Sequence, residues 1–168
     1  MDLFEAIEKR ASVRSFTACD ISRDELLKII DAGRRAPSGN NRQPWEFILI
    51  EEASTLEKLG TVQNCIAEAS AAIAVVVDEN ATDYWKEDAS AAIENMLLAV
   101  VGLGYASLWV EGYVLRHENM AKSVLEVPGD QRLLAILPIG EPAGEPHQAE
   151  KKTMDEVLHV NRYGRRDG

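Results

Sequence analysis

The chain has 168 residues, 46% of them hydrophobic, and a formal net charge of −10. That is enough apolar mass for one domain with a real core, and the acidity speaks against nucleic acid and anionic membrane as partners. No stretch approaches the ~20 uninterrupted apolar residues that span a bilayer. The opening residues carry Asp2, Glu5 and Glu8 and lack the basic and apolar regions of a secretory signal, so a cytoplasmic protein is expected. Cys19 and Cys65 are too few for a disulfide framework or a metal knot. His117, His147 and His159 show no ligand spacing, so they are expected at the surface and no metal is expected.

The elements follow in chain order. Leu3 to about Ala11 reads as a short helix. Ser22-Arg23-Asp24-Glu25 is a capping box, and the apolar residues after it predict a helix to about Ala36. Trp45–Ile50 reads as a buried strand, and Ser54-Thr55-Leu56-Glu57 as a second capping box opening a helix that ends near Gly60. Ala71–Val77 is apolar throughout and predicts an interior strand. From about Tyr84 to Leu103 a long helix is apolar on more than one face, so either a second subunit or the chain's own sheet must cover it. A third strand is expected over Gly104–Val110, a helix over Glu118–Leu125, and a fourth strand over Leu133–Ile139. Gly140-Glu141-Pro142 and Gly144-Glu145-Pro146 read as a turn-rich bridge without regular structure. Met154–His159 is then helical, and the residues from 160 to 168 form a polar arm, frayed or laid over another subunit. Without strict βαβ alternation the order predicts an α+β fold, one sheet with helices on both faces.

Two short segments carry the chemistry. The first is Arg10-x-Ser12-x-Arg14, where the first helix runs out. Two guanidiniums beside a hydroxyl make a phosphate cradle, because Arg forks onto phosphate oxygens with charge-assisted bonds. The same residues also suit a solvated helix end, where arginine favours the negative end of the dipole. The second is Ala36-Pro37-Ser38-Gly39-Asn40-Asn41-Arg42-Gln43-Pro44-Trp45, which alone reads as a well-made loop. No Gly-rich phosphate loop and no nucleophile turn is present. A phosphate-bearing ligand would have to be held by side chains.

Together, Arg-x-Ser-x-Arg and Ala-Pro-Ser-x-x-Asn-x-Gln-Pro-Trp resemble the opening of the nitroreductase family of FMN-dependent oxidoreductases. The resemblance continues through Asp88-Ala89-x-x-Ala92-x-Glu94-Asn95-Met96-Leu97-Leu98-Ala99, Gly102-Leu103-Gly104, Ile139-Gly140-x-Pro142 and Asn161-Arg162-Tyr163. It implies a single domain over residues 1–168 with a central mixed, mainly antiparallel sheet. It also implies non-covalent FMN held between two identical subunits. Arg10, Ala11, Ser12 and Arg14 would hold FMN from one subunit, and Pro37, Ser38, Gly39 and Asn41 would approach it from the other. Asn64 would bind the pyrimidine ring, with Ala67 where the family often has lysine. Val110, Glu111 and Gly112 match the loop whose backbone N–H faces flavin N5, Glu111 supplying it. Lys151 and Lys152 fall where the family places basic residues on the phosphate.

The implied activity is ping-pong reduction of nitroaromatics, quinones or similar acceptors with NAD(P)H as donor. The protein supplies position and electrostatics and no catalytic side chain. Arg14 would stabilise negative charge at the pyrimidine end. Trp109 stands either beside the ring system or in the core as a packed aromatic. Two other readings compete with this one. The first is a specialised relative, a flavin-fragmenting enzyme or reductive dehalogenase. The second is a non-catalytic flavin-binding module.

Overall fold

The computed structural model describes residues 1–166, so the last two residues of the expected arm lie outside the described residues. Its strands are β1 (Phe16–Thr17), β2 (Trp45–Ile50), β3 (Ala71–Val77), β4 (Ala106–Ser107) and β5 (Arg132–Pro142). They form one sheet in the order β1-β5-β3-β2, with β4 also on β5. Every pairing of named strands is antiparallel. The expected parallel component is one isolated bridge, Ser12 to Ser107.

β3 lies between β2 and β5, and all seven of its residues are buried. Side chains alternate across a strand, and here both faces are covered. Ala72, Ala74 and Val76 join one core with Leu56, Leu59, Ile66, Val114 and Ala121. Those come from α3 (Ala53–Leu59), α4 (Cys65–Glu68), α6 (Gly112–Arg116) and α7 (Glu118–Leu125). Ile73, Val75 and Val77 join the other core with Leu26, Ile29, Ala92, Ile93 and Met96. Those come from α2 (Arg23–Arg34) and α5 (Trp85–Gly102). α1 (Leu3–Lys9) packs on α5, and α8 (Met154–Val157) lies far along the chain.

The capping box at Ser22 forms as expected, with Ser22 and Glu25 each bonding the other's backbone. The one expected at Ser54 does not. α3 begins two residues earlier, with Glu52 at its N-cap and no side-chain cap bond. Gly140-Glu141-Pro142, expected as a turn, continues β5 to pair with Phe16 and Thr17. Proline is tolerated there because it ends the strand, and a Cβ on Gly140 would press on Phe16 at 3.2 Å. The expected strand over Gly104–Val110 shrinks to β4 plus a bridge from Val110 to Ile136. β1, α4 and α6 are additions to the expected order. The long helix is covered largely by its own chain. Gly33 of α2 leaves no room for a side chain, since a Cβ there would lie 2.7 Å from Met96 Cγ. His117 and His147 are exposed and His159 partly so. Among the described residues no group of His, Cys, Asp or Glu is arranged to hold a metal, and no helix is long and apolar enough to cross a membrane.

Candidate functional site

The Arg10–Arg14 segment leaves α1 as extended chain. Ala11 is buried, Val13 partly so, and Ser12 and Arg14 are exposed, the alternation that extended backbone imposes. Arg10, Ser12 and Arg14 therefore share one side. The segment runs beside β4, with Val13 N–H donating to Ser107 O at 3.0 Å.

Each arginine is only partly engaged. Arg10 is half-buried, with Nε 3.5 Å from Glu94 Oε1. Gln148 Nε2 donates to the carbonyls of Arg10 and Ile7 at 2.9 and 3.0 Å, fixing the backbone beneath the guanidinium. Arg14 makes one long bond, Nη1 to Ser12 O at 3.3 Å. Its charge is felt by Cys65, whose thiol is pushed up to about 11, chiefly by burial and then by Glu68, with Arg14 opposing. A thiol so placed stays protonated at neutral pH and is no nucleophile. Just before α4, Asn64 donates to Glu68 Oε1 at 2.5 Å, and α4 packs against β1, which starts two residues after Arg14.

The far wall is the segment after β4. Val110 exchanges both backbone bonds with Ile136. Glu111, at the start of α6, donates its N–H to none of the described residues, and Gly112 is exposed. Ser107 Oγ and Trp109 Nε1 are buried without a partner among the described residues. Orphaned buried polar atoms are rare and call for an explanation. Two lie here, two residues apart, and Ser107 is bridged to Ser12 of the arginine segment. Ser107 escaped sequence analysis, and its only signal was a hydroxyl inside an apolar run.

The loop from Pro37 to Gln43 is elsewhere. It is built around a 3-10 turn, Gly39–Asn41, with Asn40, Asn41 and Gln43 all at positive φ. Gly39 N–H donates to Asp88 Oδ1 at 2.9 Å, and a Cβ on Gly39 would lie 2.9 Å from Tyr84 Cδ2. α5 thus holds the loop at Asp88 and Arg10 at Glu94. Six helical residues are ~9 Å of rise, and the two positions point roughly 120° apart. One protomer does not bring Pro37, Ser38, Gly39 and Asn41 together with Arg10. Lys151 and Lys152 are exposed, in the irregular stretch before α8.

Around the first cluster the unsatisfied groups are a half-free guanidinium, a nearly free one, a hydroxyl, a backbone N–H and an indole N–H. These donors fit a phosphate-bearing ligand with a polar ring, and FMN is one.

The model of the nitroreductase family matches residues 7–82 and 60–141. A protein of Archaeoglobus fulgidus, provisionally named NADH dehydrogenase/NAD(P)H nitroreductase, is 31% identical over 96% of this chain and 99% of its own. Among solved structures, one of the same provisional name from Parabacteroides distasonis superposes with TM-score 0.86 at 28% identity, covering 96% of this chain and 98% of that one. A provisionally named nitroreductase from Desulfovibrio desulfuricans, solved in complex with FMN, gives TM-score 0.83 at 25% identity over 95% and 96%. On the family match and the near-complete coverage of the archaeal relative, the chain belongs to the nitroreductase family.

Proposed function

We propose that the protein is an FMN-dependent oxidoreductase that passes electrons from NAD(P)H to nitroaromatics, quinones or similar acceptors. The observation that carries this is the set of unsatisfied donors on Arg10, Arg14, Ser107, Trp109 and Glu111 in a member of this family. When bound, FMN supplies the redox chemistry of both half-reactions.

The chain's own residues bind and orient. Arg10 and Ser12 hold the phosphate. Glu94 engages Arg10 through Nε, which leaves the terminal fork for a second anion. Arg14 and Asn64 face the pyrimidine end, where a fixed positive charge favours the reduced cofactor. Ala11, buried, sets the spacing of the residues on either side of it. Val110 anchors the strand that presents the N–H of Glu111 and the backbone of Gly112 to the ring. No side chain acts as acid, base or nucleophile.

The protein works as one domain in a homodimer, in the cytoplasm. The separation of the Pro37–Asn41 loop from Arg10 on α5 supports a site shared by two copies. So do the exposed apolar residues of α1 (Leu3, Phe4, Ile7) and of the α8 stretch (Met154, Val157, Leu158). A two-fold axis puts each such patch against its own copy. In the dimer Pro37, Ser38, Gly39 and Asn41 reach the flavin held by the other protomer, and Lys151 or Lys152 adds charge near the phosphate.

The test is spectroscopic. Purified or FMN-reconstituted protein shows a flavin spectrum that NADH or NADPH bleaches anaerobically and a quinone or nitroaromatic restores. Protein that takes up no FMN refutes the proposal. FMN-loaded protein that neither NADH nor NADPH bleaches refutes the assigned donor.

A further inference from the structure

α5 carries one charge that this mechanism leaves unused. Asp88 is only 6% exposed. Its Oδ1 accepts the Gly39 N–H at 2.9 Å, while its Oδ2 is buried with no partner among the described residues. A buried carboxylate with an unbonded oxygen is costly, so the fold retains it for the one bond it makes.

The loop at the other end of that bond needs support. Asn40, Asn41 and Gln43 have φ of 50°, 56° and 48°, a region that asparagine tolerates better than most residues but that three non-glycine residues within four positions keep together only where their surroundings hold them. Most of the loop's bonds are internal. Asn41 N–H and Arg42 N–H donate to Ser38 O and Gly39 O, and Gln43 N–H donates to Ser38 Oγ. Those bonds define the loop's shape but do not fix it on the protein. The Gly39–Asp88 bond does that, helped by the close approach of Gly39 to Tyr84.

We infer that Asp88 is the positioning residue of the flavin-facing loop: its carboxylate holds Gly39, and with it the left-handed Asn40–Asn41 pair, in the shape that presents Ser38 and Asn41 to the ring of FMN. The inference rests on the FMN-dependent function proposed above. It places Asp88 against the ring end of the ligand and not the phosphate end, so its loss weakens FMN and riboflavin alike.

The test uses the full chain as apoprotein, in wild-type, Asp88→Ala and Asp88→Asn forms. Amide hydrogen exchange is followed over residues 37–43 and over β3, and each form is titrated with FMN and with riboflavin. Asp88→Ala is expected to speed exchange in 37–43 while β3 stays protected, and to weaken both flavins by the same factor, about tenfold for one lost charge-assisted bond. Asp88→Asn keeps an acceptor for Gly39 N–H and stays within about threefold of wild type. The inference is overturned if Asp88→Ala leaves exchange in the loop unchanged, if the loop loosens with both affinities intact, or if only FMN weakens. Should Asp88→Ala fail to protect β3, Asp88→Asn decides. Wild-type exchange and affinity then support the inference, and lost flavin affinity with a protected loop overturns it. Wild-type protein that binds neither flavin takes down the proposed function and the inference together. Wild-type protein that binds both, beside an Asp88→Ala form that binds them equally well, takes down the inference alone.

Discussion

The Arg10–Arg14 strip and the Pro37–Gln43 loop are both short motifs beside α5, yet they are made in opposite ways. The strip is ordinary extended backbone whose guanidiniums are left half-satisfied. The loop is a backbone shape, with three left-handed residues, internal hydrogen bonds and a buried anchor. A half-satisfied charge can be spent on a ligand, and a built backbone can only be kept or broken. Changes in the strip should therefore alter what is bound with little effect on stability. Changes in the loop should alter stability first and binding through it.

The largest effect that would break this contrast belongs to Arg10. Arg10→Ala removes a charge-assisted contact to phosphate worth about 1.5–3 kcal/mol, so FMN affinity should fall about ten- to a hundredfold. Riboflavin, which lacks the phosphate, should bind as before, and the urea midpoint should barely move because the Glu94 pair is partly exposed. Paired titrations with FMN and riboflavin check this. An equal loss for both ligands would mean that Arg10 supports the fold of the strip and is not a phosphate ligand.

The loop supplies the converse. Asn40 sits at φ 50°, ψ 27°. A β-branched residue meets a steric penalty there, so Asn40→Val should destabilise the protein by about 1–2 kcal/mol, whereas Asn40→Gly, free of that penalty, should be nearly neutral. Chemical denaturation of the two variants measures the difference. If valine is tolerated, the loop is no more built than the strip.

How much of this was legible in the residues depends on how each signal is carried. β2 and β3 match their expected spans to the residue: β3, covered on both faces, is an unbroken apolar run, whereas β2, expected to be buried, is an edge strand with Glu46 exposed and only Trp45 and Ile50 buried. β5 was read one residue short at its start and three short at its end, the latter because Gly140 and Pro142 look like turn signals. In the fold Gly140 makes room for Phe16 and Pro142 ends the strand. β1, α4 and α6 have two, four and five residues, too few for any period to show. The strip was legible as chemistry because its function lies in side-chain type. The loop was legible only as a loop, and its anchor was not legible at all. Asp88 does stand four and eight residues before Ala92 and Met96, on the buried stripe of α5. That spacing was the available clue, but Glu87 beside it carries the same charge, and only packing decides which of the two turns inward. The separation of the two motifs along α5 is likewise a matter of geometry, invisible to spacing along the chain.

The smallest effect tests whether an exposed charge behaves like the strip at all. Lys151 and Lys152 lie exposed on an irregular stretch, and Gln148 ties that stretch to the end of α1. Charges on flexible stems in water contribute little and are screened within about 8–10 Å at ordinary ionic strength. Lys151→Ala/Lys152→Ala should therefore weaken FMN by no more than about threefold at low salt, and that loss should vanish near 0.15 M salt. The Arg10→Ala loss should survive the same salt, because Arg10 is half-buried and bonds directly. Titrations of both variants at two ionic strengths separate the cases. A salt-resistant loss at the lysines, as large as that at Arg10, would show that the stretch before α8 closes onto the phosphate when FMN binds. The strip would then be only half of the phosphate site.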